Sequence, residues 1–345
     1  MMGTASPLAI HKVGLITAVG ASAPASCAAF RAKVNNPAPT RFMDGTGEWI
    51  LAHAVALPDD AKVRGLARLS AMARMAIQEV LVEVLPEACP AIPLLLCVAE
   101  KERPGRLEGL DGPLLEQIQA ELGVRFSSDS SVVAQGRVAV AVALALARKL
   151  LDAGRATQVL IASTDSLLNW PTLSHIDREG RLLTQENSNG FMVGEGAGAL
   201  LVGRPAQGVQ LWCSGMGFAI EPAHIDSEEP LRADGLSAAI RDAAKEAGLA
   251  MQDFDYRIAD LSGEQYYFKE AALALQRTLH QPKAEFDLWH PAECTGEAGA
   301  LAGVAIVALA EAAARKGYAK GPNVLAHMAN DAGPRAALAL QFRGA

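Results

Sequence analysis

Short apolar runs alternate along the chain with longer segments whose apolar residues recur at helical spacing. LAIHKVGLITAVG (Leu8 to Gly20) predicts a first strand closed by a glycine turn, and SAPASCAAFRAKVNN predicts a helix ending at Asn35-Asn36-Pro37. A polar, proline-containing stretch follows, after which WILAHAVALP predicts a strand. LARLSAMARMAIQEVLVEVL (Leu66 to Leu85) is an amphipathic helix by its spacing. IPLLLCVAE (Ile92 to Glu100) reads as a buried strand, a charged loop runs to Gly112, and PLLEQIQAELG reads as a helix. Beyond Gln135-Gly136-Arg137, the run VAVAVALALARKLLDAG is apolar around most of its circumference until Arg148. Its valines permit a strand, but its length and its Asp152-Ala153-Gly154 ending predict a buried central helix.

The stretch from Val159 to Val202 follows. It opens with VLIAS and a Thr164-Asp165-Ser166 turn, continues as a long polar loop, and ends in FMVGEGAGALLV. Four glycines within nine residues (Gly190, Gly194, Gly196, Gly198) allow sharp turns and close approach of neighbouring backbone. Gly203 to Gly208 reads as a hinge. Beyond it, VQLWCSGMGFAI is strand-like, LRADGLSAAIRDAAKEAGL helical, DYRIADLSGE a strand and turn, YYFKEAALALQRTL helical and FDLWHP a strand. GEAGALAGVAIVALAEAAARKG is a second buried helix rich in small residues, and NVLAHMAND with RAALALQF predicts an antiparallel hairpin.

The two parts repeat one another. ALARKLLDAG (Ala145 to Gly154) aligns without gaps to ALAEAAARKG (Ala308 to Gly317), and a buried strand follows each, VLIAS or NVLAH. Carried back, that alignment sets Gly136 opposite Gly299, at the start of each buried helix. Alternating strands and helices predict a largely parallel sheet with both faces covered. The division falls between residues 1–203 and 204–345.

Composition narrows the function classes. Half of the 345 residues are apolar, a fifth are charged, and the formal net charge is −7. That balance argues against a nucleic-acid or anionic-membrane surface, which needs a concentrated basic face. No segment has the length and flanks of a membrane span, and MMGTASPLAIHKVG lacks a cationic region followed by a long apolar core. The five cysteines (Cys27, Cys89, Cys97, Cys213, Cys294) are scattered without CxxC spacing, as expected of reduced cytoplasmic thiols, with no metal or cofactor site. Cys27, Met72 and Met75 read as core residues, and His53 as a structural histidine satisfied among apolar neighbours.

A strand ending at a small-residue-Asp turn, followed by GF-x-x-GEGAG-x-L, resembles the β-ketoacyl synthases of the thiolase superfamily. The resemblance covers nearly the whole chain. It implies an α/β, thiolase-like five-layer αβαβα fold of two pseudo-symmetric halves, usually assembled as a dimer. It also implies a cysteine nucleophile at the start of the first buried helix and two histidines from the second half. A helix N-terminus lowers the thiol pKa, and the histidines promote decarboxylation and stabilise the enolate.

Carried over position by position, none of those side chains is found. Counting back from Gly154, the nucleophile position falls at Arg137, or at Gln135 with a two-residue slip, and no cysteine lies between Cys97 and Cys213. The segment matching His-Gly-Thr-Gly is Asp260-Leu261-Ser262-Gly263, which sets Asp260 at the first histidine. The segment matching Thr-Gly-His is Thr295-Gly296-Glu297, which sets Glu297 at the second, and the lysine five residues earlier becomes Ala292. A glutamine at the nucleophile position is similar to the chain-length-factor subunits of aromatic polyketide synthases, although AQGRVA departs from their usual pattern.

Two classes of function follow. The first is a non-condensing ketoacyl synthase-like protein of fatty acid biosynthesis or polyketide-type metabolism. It would be a homodimer, or the partner of a related synthase, and would bind an acyl carrier protein or acyl-CoA, with Arg137, Asp260 and Glu297 forming a buried ion cluster. The second is an acyltransferase or hydrolase that uses Glu297 as acid or base, or Cys294 as a substitute nucleophile near the same pocket. His290 ends the strand before Cys294, and His175 is expected on the surface of the long loop. The Thr164-Asp165-Ser166 turn is structural by the same resemblance. A closed pocket in a purely architectural protein is a third reading.

Overall fold

The computed structural model describes residues 6–58 and 63–344; the opening MMGTA lies outside them. Its first elements are β1 (Leu8–Ile16), α1 (Ala23–Ala32), β2 (Ala38–Met43), β3 (Trp49–His53), α2 (Gly65–Val80), β4 (Leu94–Val98) and α3 (Pro113–Leu122). Next come β5 (Ser131–Ala134), α4 (Ala139–Asp152), β6 (Gln158–Ser166), α5 (Trp170–Arg178) and β7 (Val193–Gly203). The remainder is β8 (Val209–Ile220), α6 (Asp234–Ala247), β9 (Tyr256–Ala259), α7 (Gln265–Thr278), β10 (Leu288–Trp289), α8 (Ala292–Thr295), α9 (Ala302–Arg315), β11 (Asn323–Ala329) and β12 (Pro334–Gly344).

The strands join at a seam where β1 pairs antiparallel with β8. Outward from that seam the order is β1-β7-β6-β4-β5 on one side and β8-β12-β11-β9-β10 on the other. On each side the first two pairings are antiparallel and the next two parallel. The sheet is therefore mixed, which corrects the largely parallel expectation. β7 and β12 run back beside β6 and β11, and βα alternation alone did not show that reversal.

Helices cover every sheet face, giving five layers. α4 and α9 lie in the middle, where Val140, Leu144, Val304 and Ile306 share one core with Leu8, Ile161, Leu200 and Leu338. α2 and α3 cover the outer face of β4 and β6. α6 and α7 cover β11 and β12. Each fully buried leucine or valine contributes roughly 1.5–3 kcal/mol, so these layers carry most of the driving force. Close packing explains the small residues: a Cβ at Gly198 would stand 2.7 Å from Val304 Cβ.

The GEGAG strand is central rather than at an edge, with β1 and β6 on its two sides. Its Glu195 is fully buried and bonded by Arg68 Nε at 2.9 Å, Ser166 Oγ at 2.8 Å and Val55 N at 2.9 Å. This carboxylate ties β7 to α2 and β6, and the three donors offset its desolvation.

Three sequence expectations change. Thr164, Asp165 and Ser166 remain inside β6, opposite Ala197, Gly196 and Glu195, and make no turn. The long polar loop contains α5, capped by Asn169 Oδ1 accepting from Thr172 N at 3.1 Å. The polar stretch after α1 holds β2, which pairs with β3.

Candidate functional site

The repeat aligned from sequence is visible in the backbone. Gly136 and Gly299 have φ of +51° and +55°, and each opens a 3-10 turn that runs into α4 or α9. Glycine is required at both for a second reason. A Cβ would lie 2.1 Å from Glu100 Oε2 at Gly136 and 2.0 Å from Asp165 Oδ2 at Gly299. Arg103 joins those two carboxylates, with Nη2 at 2.7 Å from Glu100 Oε2 and Nη1 at 2.7 Å from Asp165 Oδ1. Asp165 Oδ2 also accepts from Ala300 N at 2.8 Å, and Glu297 Oε1 from Gly299 N at 2.9 Å, satisfying free amides at the start of α9.

Arg137 follows Gly136 and is buried. Its Nη1 is 3.4 Å from Glu297 Oε2 and its Nε is 3.9 Å from Asp260 Oδ2. The three residues expected to cluster therefore meet. Two more contacts, absent from the sequence reading, are tighter: Arg137 Nη2 donates to Tyr267 Oη at 2.7 Å and to Asp331. Asp331 is shared, since Arg181 Nη1 donates to its Oδ2 at 2.8 Å while Arg181 also grips both oxygens of Glu264 at 2.7 and 2.8 Å.

Protonation follows this geometry. Against the push of burial, Arg137 and Arg181 hold Asp331 well below the usual carboxylate range. Glu297 goes the other way: burial pushes it up to about 7, with Arg137 pulling back and Asp260 adding to the rise. Burial likewise raises Asp260, which accepts one bond from Ala329 N at 2.9 Å. Arg137 is thus shared by Tyr267 and three carboxylates, of which only Asp331 is held below its ordinary range.

These groups line a cavity of about 470 Å³ bounded by Gln135, Arg137, Glu297, Asp331, Arg103 and His175. Asp260 is not on its wall but beside a void of about 20 Å³ next to Glu297. Gln135 is exposed at the cavity, and its carbonyl accepts from Asn330 Nδ2 at 2.7 Å. His175 is half-buried and lines the cavity, from α5 and not from an irregular loop.

Cys294 does not reach this cavity. The one-turn α8 directs its buried thiol toward α1, 4.0 Å from Ala29 O, and Gly296 (φ +63°) reverses the chain before Glu297. Burial pushes the Cys294 thiol up to about 11. His290 accompanies Cys294 in a separate cavity. Cys27 is a buried core thiol raised to about 12 by burial, and Met72 is fully buried. His53 is buried as expected but not satisfied, because its Nδ1 lacks a hydrogen-bond partner among the described residues.

Solved structures share this architecture over almost the whole chain. The ishigamide ketosynthase/chain length factor superposes with a TM-score of 0.78 at 17% identity, covering 98% of this chain and 100% of that one. The fold is that of the ketosynthases. A type II polyketide ketosynthase bound to a hexaketide, in complex with its acyl-carrier protein, shares it at a TM-score of 0.79 and 14% identity, covering 97% and 99% of the two chains. So does a β-ketoacyl synthase from Burkholderia phymatum, at 0.75 and 15% identity over 98% and 100%. No protein-family model and no curated protein matches the sequence.

On this ketosynthase fold, the start of α4 carries Gln135-Gly136-Arg137, and the start of α9 faces it with Glu297. Among the described residues no group of three or more His, Cys, Asp or Glu could hold a metal ion, and no helix is long and apolar enough to cross a membrane. The cavity can therefore offer acid/base groups and hydrogen bonds, but it has no thiol on its wall.

Proposed function

We propose that this chain is a ketosynthase-like protein that does not perform thiolate-based condensation. Instead it serves fatty-acid or polyketide-type metabolism as an acyl-carrier or acyl-CoA-binding subunit, in a homodimer or beside a related synthase. The observation that carries this reading is the buried guanidinium of Arg137, held by Asp331, Tyr267 and Glu297. The resemblance matches the nucleophilic cysteine to Arg137, or to Gln135 two residues earlier, and neither side chain is a thiol. An arginine cannot form the acyl thioester, and its carboxylate partners cannot leave without exposing an unpaired buried charge. The neighbours support the partner role, since one pairs a ketosynthase with a chain length factor and another holds its acyl-carrier protein. The repeated strand order supports a division into 1–203 and 204–345.

A second reading has one specific observation behind it. Glu297 lines the cavity with its pKa raised to about 7 by burial, which suits a general acid or base for acyl transfer or hydrolysis near neutral pH. Cys294 takes no part in it, because its thiol lies in the other cavity.

Incubation with acyl- and malonyl-loaded carrier proteins distinguishes the two. The first reading expects neither β-ketoacyl product nor free acid above background. A β-ketoacyl product contradicts both, and release of free acid that is lost in Glu297→Gln selects the second.

A further inference from the structure

A second cavity of about 470 Å³ shares no lining residue with the one at Arg137. It lies where the end of α1, strand β10, α8 and the segment after α9 meet. Its apolar walls are Phe30, Leu309, Trp289 and Tyr318. The last two rings are roughly parallel, 6.3 Å between centroids at 29°, and present flat aromatic surface. This volume falls in the range of small-molecule sites.

Two cations, Arg31 and Lys33, and two carboxylates, Asp287 and Glu293, line the cavity. Lys33 is 3.6 Å from Glu293, and Lys320 lies 3.2 Å from Asp287 and 3.8 Å from Glu285. Glu311 is taken by Arg315 at 2.5 Å. Arg31 has no carboxylate within ion-pair distance among the described residues; its guanidinium rests on the Tyr318 ring at 4.6 Å. The Tyr318 hydroxyl is buried without a hydrogen-bond partner among the described residues, and burial raises its pKa to about 12, so it remains a donor.

We propose that this cavity binds a small aromatic carboxylate, with its ring against Trp289 and Leu309 and its carboxylate on Arg31. A guanidinium matches a carboxylate with two parallel N–H donors, and stacking rewards a flat ring.

Calorimetric titration of the full chain with 2-naphthoate, and with neutral 2-naphthamide, tests this. The site predicts 1:1 binding of 2-naphthoate, weakened about tenfold in Arg31→Leu and about tenfold for the amide. Filling the cavity by Leu309→Trp abolishes binding. Arg31 is exposed, so Arg31→Leu decides the matter even where Leu309→Trp fails to fold. Absence of binding to the wild type, equal affinity for acid and amide, or unchanged affinity in Arg31→Leu overturns the proposal.

Discussion

Arg137 Nη1 stands 3.4 Å from Glu297 Oε2, joining residues 160 positions apart at the starts of the two central helices. The pair is real but subordinate, because Arg137 is held more tightly by Asp331 and Tyr267. Burial raises the pKa of Glu297, and a guanidinium held more tightly elsewhere offsets only part of that rise.

It also fixes a pH dependence. The folded pKa of Glu297, about 7, lies above its unfolded value near ~4.3. Between those values the folded state holds a proton that the unfolded chain has released, so the contribution to stability is complete below the unfolded pKa and falls as pH rises. The slope is up to roughly 1.4 kcal/mol per pH unit. Relative to Glu297→Gln, the unfolding temperature of the wild type should therefore decline from pH 5 to pH 7. Asp260, Glu79 and Glu270, also raised by burial, act in the same direction in both proteins, and His53, His290 and His327, lowered by burial, act in the opposite one. Identical profiles for the two proteins contradict this assignment.

Arg137→Met leaves Asp260, Glu297 and Asp331 without their common cation. Three carboxylates in one partly buried site then repel one another or take up protons. The variant should lose about 3–5 kcal/mol at neutral pH and recover part of it at pH 5. Denaturant titration at the two pH values measures this, and equal losses at both would mean the carboxylates are not coupled through Arg137.

Gly136→Ala and Gly299→Ala each demand a side chain at positive φ and within 2.1 Å of a carboxylate oxygen. Each should cost about 1–3 kcal/mol. A change below a few tenths of a kcal/mol in either variant counts against the matched glycine turns.

All five cysteines are free and buried. The native protein should react slowly with an aromatic disulfide reagent, and the five thiols should appear together on unfolding. One fast-reacting thiol in the native state, lost in Cys294→Ala, would restore Cys294 as a nucleophile.

The fold was legible because its two halves repeat small-residue helices and strands with the same spacing, and the GEGAG strand stands in its centre. The meeting of Arg137, Asp260 and Glu297 was legible through that alignment. Asp331, Arg181 and Tyr267 were not, since a charged residue in a turn or a tyrosine on a helix carries no periodic signal of its distant partner. α5 left a signal in Asn169 with Pro171, a cap and a first-turn proline, obscured by the polar residues around it. The direction of Cys294 depends on one turn of helix and on Gly296, and sequence spacing alone cannot give it.

Intact-protein mass after incubation with acyl-CoA and acyl-carrier donors tests the central claim most directly. The arrangement around Arg137 predicts an unchanged mass with every donor. A stable acyl adduct, above all one lost in Cys294→Ala, would contradict it.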